Sequence, residues 1–472
     1  MAKSYTVTAD VFTVPYKNGD VILYAPLAGF AGVANADTIG LLAGLDELDT
    51  GTLNPQQKEI LDFLDRKGIL NGSKEYACGT TLPEKYTPTM VTLFPTNQCN
   101  LRCTYCYASA GDWKPMTMDW HTATSAVEIV IRNLKEKGAR HFSMGFHGGG
   151  EPLYPWSFIK KIVEYAEDRC AREGLEPFIY AATNGLLSEI QLEWILKHFR
   201  NLNISFDGLP HVQDYHRPLP DGKGSFEFVD RTMRFLDAHN FTYGVRGTVS
   251  SYNIHLMNET IDFIGQNYKV KSVHLEPLFY CGRCKTSGTM APEMQTFADH
   301  FMEAEPRCVP YDIQLTYSGC HLEFLRNTFC GVASDNFSVT PDGYVTTCFE
   351  VTDRSDEKSG VFFIGRIRED GTLEVDEKKR KFLHSLKVDN LEYCQDCFAK
   401  WHCGGECAAK LQHGEYTGER GHERCQLNRQ LIRNRLIGLV EGTYQSPRIH
   451  ASRVESVEKG KDDLKKKKIK KT

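Results

Sequence analysis

The most regular feature of the chain is an alternation of short apolar runs with amphipathic stretches between about residues 88 and 300. The six apolar runs, each of strand length, are MVTLFPT, HFSMGFHG, PFIYAATNG, NLNISFDG, FTYGVRGTVS and VKSVHLEPL. Between them, apolar residues at helical spacing occur at about 118–138, 156–172, 187–199, 225–239 and 254–267. This alternation predicts α/β architecture, with a parallel sheet closed into a partial (β/α)6 or full TIM-like barrel and ligands bound after the strands.

The first 85 residues have a different pattern. The runs VFTVPYK, DVILYAPL and FAGVAN are predicted strands, separated by polar or Gly/Pro turns. A short helix is predicted in ADTIGLLAGL, and a longer one in NPQQKEILDFLDRKGIL, which has a proline near its start. Three strands followed by helices predict a compact lobe of winged-helix type, and SKEYACGTTLPEKYTP predicts a linker to the barrel.

Beyond about residue 305 the regular pattern fades and cysteines become frequent. Little regular structure combined with many thiols predicts a region stabilised more by metal than by an apolar core. The tail KGKDDLKKKKIKKT has eight lysines and two aspartates, a charge run typical of disordered, solvated chain. The predicted division is a lobe at 1–85, a barrel at 88–305, a cysteine-rich domain at 306–435, and a helix end with a disordered tail at 436–472.

The composition places the 472-residue chain among ordinary soluble proteins, with 41% hydrophobic residues, 25% charged residues and a formal net charge of −5. No run approaches ~18 apolar residues, and the N-terminal stretch MAKSYTVTADVF lacks the apolar centre of a secretory signal. A cytoplasmic protein without a membrane partner is therefore predicted. The basic tail alone is a weak indication of nucleic-acid binding, so no nucleic-acid partner is predicted.

Sixteen cysteines are the unusual feature of the composition. A large chain in a reducing compartment seldom uses so many thiols in disulfides, and clustered spacing indicates metal. The clustered thiols are Cys99, Cys103, Cys106, Cys330, Cys348, Cys394, Cys397, Cys403, Cys407 and Cys425. Cys78, Cys170 and Cys308 lack partner spacing and are predicted structural or surface thiols. For Cys281 and Cys284, in CGRC, an incidental pair is favoured over a redox pair or a substrate contact.

The loop after the first barrel strand, NQCNLRCTYCYASAG, places Cys99, Cys103 and Cys106 in the spacing CxxxCxxC. A structural zinc site would need a fourth protein ligand. No cysteine or histidine completes the set nearby, since His121 is fifteen residues further on. A [4Fe–4S] cluster held by three thiolates would leave one iron open for a small molecule. From this loop alone, zinc remains an alternative.

This spacing, with the aromatic Tyr105 before the last cysteine, resembles the radical S-adenosylmethionine (radical SAM) superfamily. GFHGGGEPL and SFDGLPHVQDYHRP, each following a later strand, are similar to that superfamily's GGEP and SxDGP…R segments. The resemblance implies that the three cysteines are catalytic and hold a cluster that binds S-adenosylmethionine. The cofactor-binding residues it implies are Tyr105, Gly148, Gly149, Gly150, Glu151, Thr183, Asn184, Ser205, Asp207, Arg217 and Arg246.

Within that set the resemblance implies distinct roles. Glu151 accepts from the methionyl ammonium, and either Arg217 or Arg246 pairs with the methionyl carboxylate. The reduced cluster passes one electron to the sulfonium, the C5′–S bond breaks, and a 5′-deoxyadenosyl radical removes a hydrogen atom from the substrate. An external one-electron reductant of flavodoxin or ferredoxin type is implied as a partner.

The C-terminal cysteines resemble the seven-cysteine SPASM domain at every spacing, from Cys330 to Cys425. The resemblance implies two auxiliary [4Fe–4S] clusters, and therefore three clusters in the chain. The implied ligands are Cys330, Cys348, Cys407 and one upstream thiol for the first cluster, and Cys394, Cys397, Cys403 and Cys425 for the second. Cys320 is the nearest candidate for the upstream thiol, with an open iron as the alternative. Zinc remains an alternative for CQDCFAKWHCGGEC.

SPASM enzymes similar to this chain mostly modify peptides, so the resemblance implies a ribosomally made precursor peptide as partner. Its leader would add to a sheet edge of the N-terminal lobe, and the reaction would be a cross-link, such as a thioether or carbon–carbon bond, or an epimerisation. One alternative is an anaerobic sulfatase-maturing, formylglycine-generating enzyme. Such enzymes have an aspartate base after the Gx4C cysteine, where this chain has Phe349 and then Glu350. A non-enzymatic iron–sulfur electron carrier is the alternative of another class.

Overall fold

A computed structural model describes residues 4–45, 51–72, 82–411 and 423–453 of the chain. Cys78, the lysine-rich tail and most of the predicted linker lie outside these residues. Within the described ranges, no helix combines the length and the apolar composition that a bilayer crossing requires.

The N-terminal lobe has the three antiparallel strands and two helices that the pattern predicts. Its elements are β1 (Phe12–Pro15), β2 (Val21–Ala25), β3 (Phe30–Ala34), α1 (Ala36–Ala43) and α2 (Pro55–Arg66). The start of α2 is fixed by a capping box, in which the Asn54 side chain accepts from the Gln57 N–H and the Gln57 side chain accepts from the Asn54 N–H. The lobe has its own apolar core, around Phe30, Leu61 and Leu64. Its winged-helix type remains a prediction.

All six predicted barrel strands and all five predicted helices are confirmed. The strands are β4 (Met90–Leu93), β5 (His141–Phe146), β6 (Glu176–Thr183), β7 (Asn201–Ser205), β8 (Tyr243–Val249) and β9 (Ser272–Pro277). The helices are α3 (Trp120–Glu136), α4 (Trp156–Glu173), α5 (Glu189–His198), α6 (Pro210–His216), α7 (Phe226–Ala238) and α8 (Met257–Asn267), of which α6 is additional to those predicted. Each strand pairs in parallel with the next. The carboxyl ends of the strands therefore share one edge, where ligands bind in such sheets.

The sheet extends on both sides beyond the six barrel strands. Its further strands are β10 (Gln314–Thr316), β11 (Ser338–Val339), β12 (Tyr344–Thr346), β13 (Phe363–Ile367) and β14 (Leu373–Val375). β10 pairs in parallel with β9, β11 pairs in parallel with β4, and β12 to β14 continue antiparallel from β11. The predicted barrel and cysteine-rich region thus share one eleven-stranded sheet. The expectation of little regular structure is wrong for this part of the region.

The remaining helices connect and cover this sheet. They are α9 (Cys284–Ser287), α10 (Met294–Ala304), α11 (Ser359–Phe362), α12 (Glu377–His384), α13 (Lys400–Cys403), α14 (Ala408–Leu411) and α15 (Glu423–Glu441). α15 packs against α10 and buries Asn428 and Arg435. The predicted helix end after residue 436 is the last part of α15.

A strand near the C-terminus, β15 (His450–Arg453), joins the N-terminal sheet beside β3. The two strands run parallel, and the N–H of His450 donates to the carbonyl of Gly29 at 2.8 Å. The sequence did not indicate this pairing. It means that one edge of the lobe predicted to bind a leader peptide is covered by the chain itself.

We expect Gly29→Ala to loosen β15 more than Gly19→Ala does. Both glycines have positive φ, so both alanine variants carry a backbone cost of about 1–2 kcal/mol. A Cβ at Gly29 would lie 2.7 Å from the Arg448 carbonyl oxygen, whereas one at Gly19 would meet nothing within 4 Å. Amide hydrogen exchange by mass spectrometry should therefore speed up in β3 and β15 for Gly29→Ala. Equal exchange in the two variants would contradict the pairing of these strands.

Candidate active site

The three clustered cysteines of the first motif lie on the loop between β4 and α3, at the carboxyl edge of the barrel strands. The thiol sulfurs of Cys99 and Cys106 accept from the N–H groups of Leu101 and Ala110, each at 3.4 Å. Burial raises the pKa of Cys103 to about 12, and it raises that of Cys99 still further above its usual range. Thiols with such pKa values become thiolates at neutral pH only with a metal or another cation beside them.

Backbone hydrogen bonds join this loop to the end of α6 and the residues directly after it. The N–H of Arg102 donates to the carbonyl of Pro218, and the N–H of Thr104 donates to that of His216, both at 2.8 Å. The sequence motif includes this segment, but it gave no sign of these contacts. The conformation of the cysteine loop is therefore supported by a segment that follows β7, which lies three strands from β4 in the sheet.

A buried ion pair lies beneath the loop. The guanidinium of Arg217 donates to both carboxylate oxygens of Asp207, at 3.0 and 3.2 Å. The same carboxylate accepts from the Tyr105 hydroxyl and, at 2.8 Å, from the Thr248 N–H. Although burial opposes it, the charge of Arg217 holds the pKa of Asp207 well below its usual range. The structure thus brings together three of the predicted cofactor residues, as partners of one another.

Glu151 is a second buried carboxylate, and it joins two of the predicted segments. It accepts from the Thr183 hydroxyl and the Asn184 N–H, both at 2.8 Å, and from the Leu153 N–H at 3.0 Å. Burial raises the pKa of Glu151 to about 7, although these three hydrogen bonds act in the opposite direction. The Asn184 side-chain nitrogen lies 3.9 Å from the Cys99 sulfur. The GGGEP and TNG segments therefore meet beside the cysteine loop.

The glycines before Glu151 permit close packing against the strand and loop before the cysteines. A Cβ at Gly150 would lie 2.2 Å from the carbonyl oxygen of Gln98, and one at Gly148 would lie 2.9 Å from the Phe94 side chain. A side chain at Gly149 would likewise meet a neighbouring hydroxyl at 2.6 Å. The triplet is thus required by packing within the chain, whether or not a ligand also approaches it.

Ser205 and Arg246 lie opposite each other in the pairing of β7 with β8. The Arg246 side chain is exposed and has no carboxylate partner among the residues described. Burial lowers the pKa of His147 to about 4, and the charge of Arg246 lowers it further. Of the two arginines considered for the methionyl carboxylate, Arg217 already pairs with a carboxylate of the chain, that of Asp207. The choice between them remains a prediction.

The three predicted thiols of the first auxiliary cluster lie near one another. Burial raises the pKa of Cys348 above its usual range, and the charges of Cys407 and Cys330 raise it further. The pKa of Cys407 is about 11, raised by burial and by Cys330 although Arg424 lowers it. Because such charge effects weaken with distance, they indicate that the three thiols lie in the same part of the domain.

Cys320, the candidate fourth ligand, accepts hydrogen bonds from the side chain of Arg435. Nη1 of Arg435 donates to its sulfur at 3.3 Å and to its carbonyl at 3.1 Å. Arg326 lies among the thiols of Cys320, Cys330 and Cys403, each of which affects its pKa. Cys320 thus shares the influence of Arg326 with Cys330 and Cys403, and its ligand role remains a prediction.

The four predicted thiols of the second auxiliary cluster line one pocket. Its empty space, including the open mouth, is about 450 Å³. The thiols around it are those of Cys394, Cys397, Cys403 and Cys425. The side-chain amide of Asn428 donates to the Cys403 sulfur at 3.0 Å, the kind of contact that stabilises cluster ligands. Four thiols around one cavity fit an iron–sulfur cluster. Among the described residues, no three His, Cys, Asp or Glu side chains form a ready site for a metal ion, so the ligand sets stay predictions.

Sequence analysis missed two basic residues among these thiols. Arg424 is buried and pairs with Glu276 at 2.8 Å and Glu406 at 2.7 Å. Lys410 pairs with Glu350 at 2.9 Å. In the sequence, Arg424 is one residue from Cys425 and Lys410 is three residues from Cys407. Because buried thiolates need nearby cations, these positions could have indicated both basic residues.

The CGRC segment lies beside the same charges. Nζ of Lys410 is 3.7 Å from the Cys281 sulfur, whereas the Cys284 sulfur accepts from the Cys281 N–H at 3.0 Å. The two thiols thus have different partners, as an incidental pair would. Cys170 and Cys308, predicted to be structural or surface thiols, are both buried.

Comparison with known families agrees with the two motif regions. Residues 93–264 match the sequence model of the Radical SAM superfamily, and residues 330–398 match that of SPASM, an iron-sulfur cluster-binding domain.

Three curated relatives illustrate the range of similarity. An uncharacterised protein of Methanocaldococcus jannaschii is 30% identical over 43% of this chain and 66% of its own length. The cysteine-type anaerobic sulfatase-maturating enzyme of Clostridium novyi is 24% identical over 33% of this chain and 42% of its own. The sporulation killing factor maturation protein SkfB of Bacillus subtilis is 26% identical over 38% and 40%. The chain thus spans about two fifths to two thirds of these relatives.

Two solved structures show the same fold. Native anSMEcpe with bound AdoMet has a TM-score of 0.59 at 16% identity, covering 74% of this chain and 99% of that chain. Streptococcus suis SuiB bound to S-adenosylmethionine has a TM-score of 0.50 at 13% identity, covering 86% of this chain and 96% of that chain. The predicted TIM-like partial barrel followed by a SPASM domain is therefore confirmed as the fold.

We expect Asp207→Asn to destabilise the chain by about 3–5 kcal/mol, because it leaves the buried Arg217 charge without a carboxylate. The matched control is Asp168→Asn, which removes an exposed helical pair with Arg172 and should cost less than about 1 kcal/mol. Urea unfolding midpoints of the two variants give the comparison. Similar shifts in both would contradict the importance of the buried pair.

The Glu151 carboxyl should make stability depend on pH. Its pKa is about 7 in the folded chain against an ordinary value of 4.5, so its contribution is complete below pH 4.5 and is lost as the pH rises through 7. Glutamine at this position does not titrate. The unfolding free energy of wild type relative to Glu151→Gln should therefore fall by roughly 3 kcal/mol across this range. Urea titrations at several pH values test this, and a constant difference would contradict it.

Proposed function

We propose that the chain, which matches the Radical SAM superfamily and the SPASM domain, is a radical SAM enzyme that modifies a ribosomally synthesised precursor peptide. The names of its relatives support such a substrate. They include a sporulation killing factor maturation protein and sulfatase-maturating enzymes, and anSMEcpe has also been solved with AdoMet and a Cp18Cys peptide. The proposed reaction is a cross-link, such as a thioether or carbon–carbon bond, or an epimerisation.

In this proposal Cys99, Cys103 and Cys106 hold a [4Fe–4S] cluster on its three protein-bound irons. With S-adenosylmethionine bound, that cluster supplies a 5′-deoxyadenosyl radical for hydrogen-atom abstraction. Glu151 takes the methionyl ammonium, for which a buried carboxylate is a suitable partner. Arg217 and Arg246 remain the two candidates for the methionyl carboxylate.

The other residues proposed to line the S-adenosylmethionine site are Tyr105, Gly148, Gly149, Gly150, Thr183, Asn184, Ser205 and Asp207. Two auxiliary clusters in the SPASM domain, with Cys320 as the eighth thiolate, complete a set of three. The proposed reductant is a flavodoxin or a ferredoxin.

The observation that carries the peptide proposal is the N-terminal lobe and its attachment to the SPASM domain. The Asp10 carboxylate in the lobe accepts from Nζ of Lys400 at 2.6 Å and from the Trp401 indole at 2.9 Å, both on α13. Cys403, at the end of α13, is one of the four thiols that line the pocket of the second auxiliary cluster. Since β15 covers β3, a leader strand would add to an outer edge, at β1 or β15. Such a strand would lie close to the SPASM domain.

Sulfatase maturation is the second candidate, because relatives carry that name. It needs a base after the Gx4C cysteine. Glu350, the first carboxylate after that cysteine in the sequence, pairs with Lys358 at 2.8 Å and with Lys410 at 2.9 Å. Although burial opposes them, the two lysines lower the pKa of Glu350 to about 2. A carboxylate with that pKa is a weak base at neutral pH, so this candidate is disfavoured.

Anaerobically reconstituted and reduced protein should convert S-adenosylmethionine to 5′-deoxyadenosine, measured by liquid chromatography. The variant with alanine at Cys99, Cys103 and Cys106 should form none, because no thiolate is left for the cluster. Cys170→Ala, a buried thiol outside the motifs, is the matched control and should keep the activity. Activity in the triple variant would remove the proposed site, and no activity in any form would favour an electron carrier.

Mass spectrometry of a coexpressed candidate precursor tests the substrate class. Loss of two hydrogen atoms indicates a cross-link, and an unchanged mass with an altered stereocentre after hydrolysis indicates epimerisation. A sulfatase-derived peptide with a target cysteine or serine serves as the competing substrate. Formylglycine in that peptide, with the precursor unmodified, would contradict the proposal and establish the second candidate.

A further inference from the structure

The CGRC segment contacts the three-cysteine loop directly through its backbone. The N–H of Arg283 donates to the carbonyl of Cys106 at 2.9 Å. Gly282 has φ +57, and a Cβ there would lie 2.2 Å from the Cys106 carbonyl oxygen and 2.4 Å from that of Tyr107. No other residue than glycine fits at this point without moving the loop. The loop after β9 is therefore in contact with the loop after β4.

The Arg283 side chain reaches further into the cysteine loop. Its guanidinium donates to the carbonyl of Cys103 at 2.8 Å and to that of Ala110 at 2.7 Å. It also donates to the Asp112 carboxylate, at 2.9 and 3.0 Å. The side chain is only 13% exposed, against 45% for Asp112. One guanidinium thus joins the middle cysteine of the segment to the residues at its end.

This arrangement has an electrostatic consequence for a cluster on the loop. A cluster becomes more negative when it is reduced, so a fixed positive charge beside it favours the reduced form and raises its potential. The charge of Arg283 acts on Cys103, whose pKa it lowers against the larger effect of burial. Asp112 has the opposite charge and is paired with Arg283, so it should partly cancel the effect.

We propose that Arg283 is a positioning residue for the cluster of Cys99, Cys103 and Cys106, and that the Arg283–Asp112 pair sets the potential of that cluster. The proposal rests on the assignment of a cluster to these cysteines and is independent of the peptide substrate. The nearby Arg102 bonds to other carbonyls of the same loop, those of Cys99, Leu101 and Gly111, and lies further from the Asp112 carboxylate, at 3.8 Å.

The test is a potentiometric titration of the holoenzyme followed by electron paramagnetic resonance. The signal of this cluster is the one that disappears when Cys99, Cys103 and Cys106 are all changed to alanine. At a fixed potential, Arg283→Met should lower the ratio of reduced to oxidised cluster at least tenfold, about 59 mV for a one-electron couple. Asp112→Asn should raise that ratio, and the double variant should fall between the two.

Two further variants separate charge from structure. Arg283→Lys keeps the charge and should hold the ratio within about threefold of wild type, while Arg234→Met, which removes an exposed arginine on α7, should leave it unchanged. If the Arg283→Met variant does not assemble the cluster, the ratio of reduced to oxidised cluster in the Arg283→Lys and Asp112→Asn variants tests the proposal instead. Shifts of the same sign for Arg283→Met and Asp112→Asn, or no shift in either with full iron content, would overturn the proposal.

Discussion

The buried carboxylate of Asp207 is the contact on which the geometry of the site depends. It holds the Arg217 guanidinium and the Tyr105 hydroxyl together beneath the cysteine loop, and both charged partners of the ion pair, Asp207 and Arg217, are buried there. Removing one buried partner leaves the other uncompensated, so these groups must be present as a set. The backbone bonds from Thr104 to His216 and from Arg102 to Pro218 then follow, because α6 ends beside the ion pair.

Arginines that are buried or half-buried beside predicted cluster thiols recur through the molecule. Arg217 affects Cys103, Arg326 lies among three thiols, and Arg424 is beside Cys407. Arginine keeps its charge even when buried, and its fork can bond several partners at once. Each proposed cluster therefore has a permanent positive charge within the protein, which offsets the negative charge that thiolates and sulfides bring.

The barrel could be predicted from sequence because its signals are local. Buried parallel strands give continuous apolar runs, and the helices between them have one apolar face, so the period changes at each boundary. β11 has only two residues and β12 only three, and their places depend on pairing with β4 and with each other. The motifs likewise located the cysteines and Glu151. They could not locate Arg283, whose partners lie about 170 to 180 positions away along the chain.

The pairing of β15 with β3 makes one small sheet out of residues 12–34 and 450–453, which are far apart in the sequence. During synthesis the first three strands leave the ribosome early, but the fourth follows only after the barrel and the SPASM domain have been made. The sheet of the lobe is thus incomplete until residues 450–453 have been synthesised. Its fourth strand, β15, can pair with β3 only after the barrel and the SPASM domain have been synthesised. The lobe is therefore not formed by one contiguous segment of the chain.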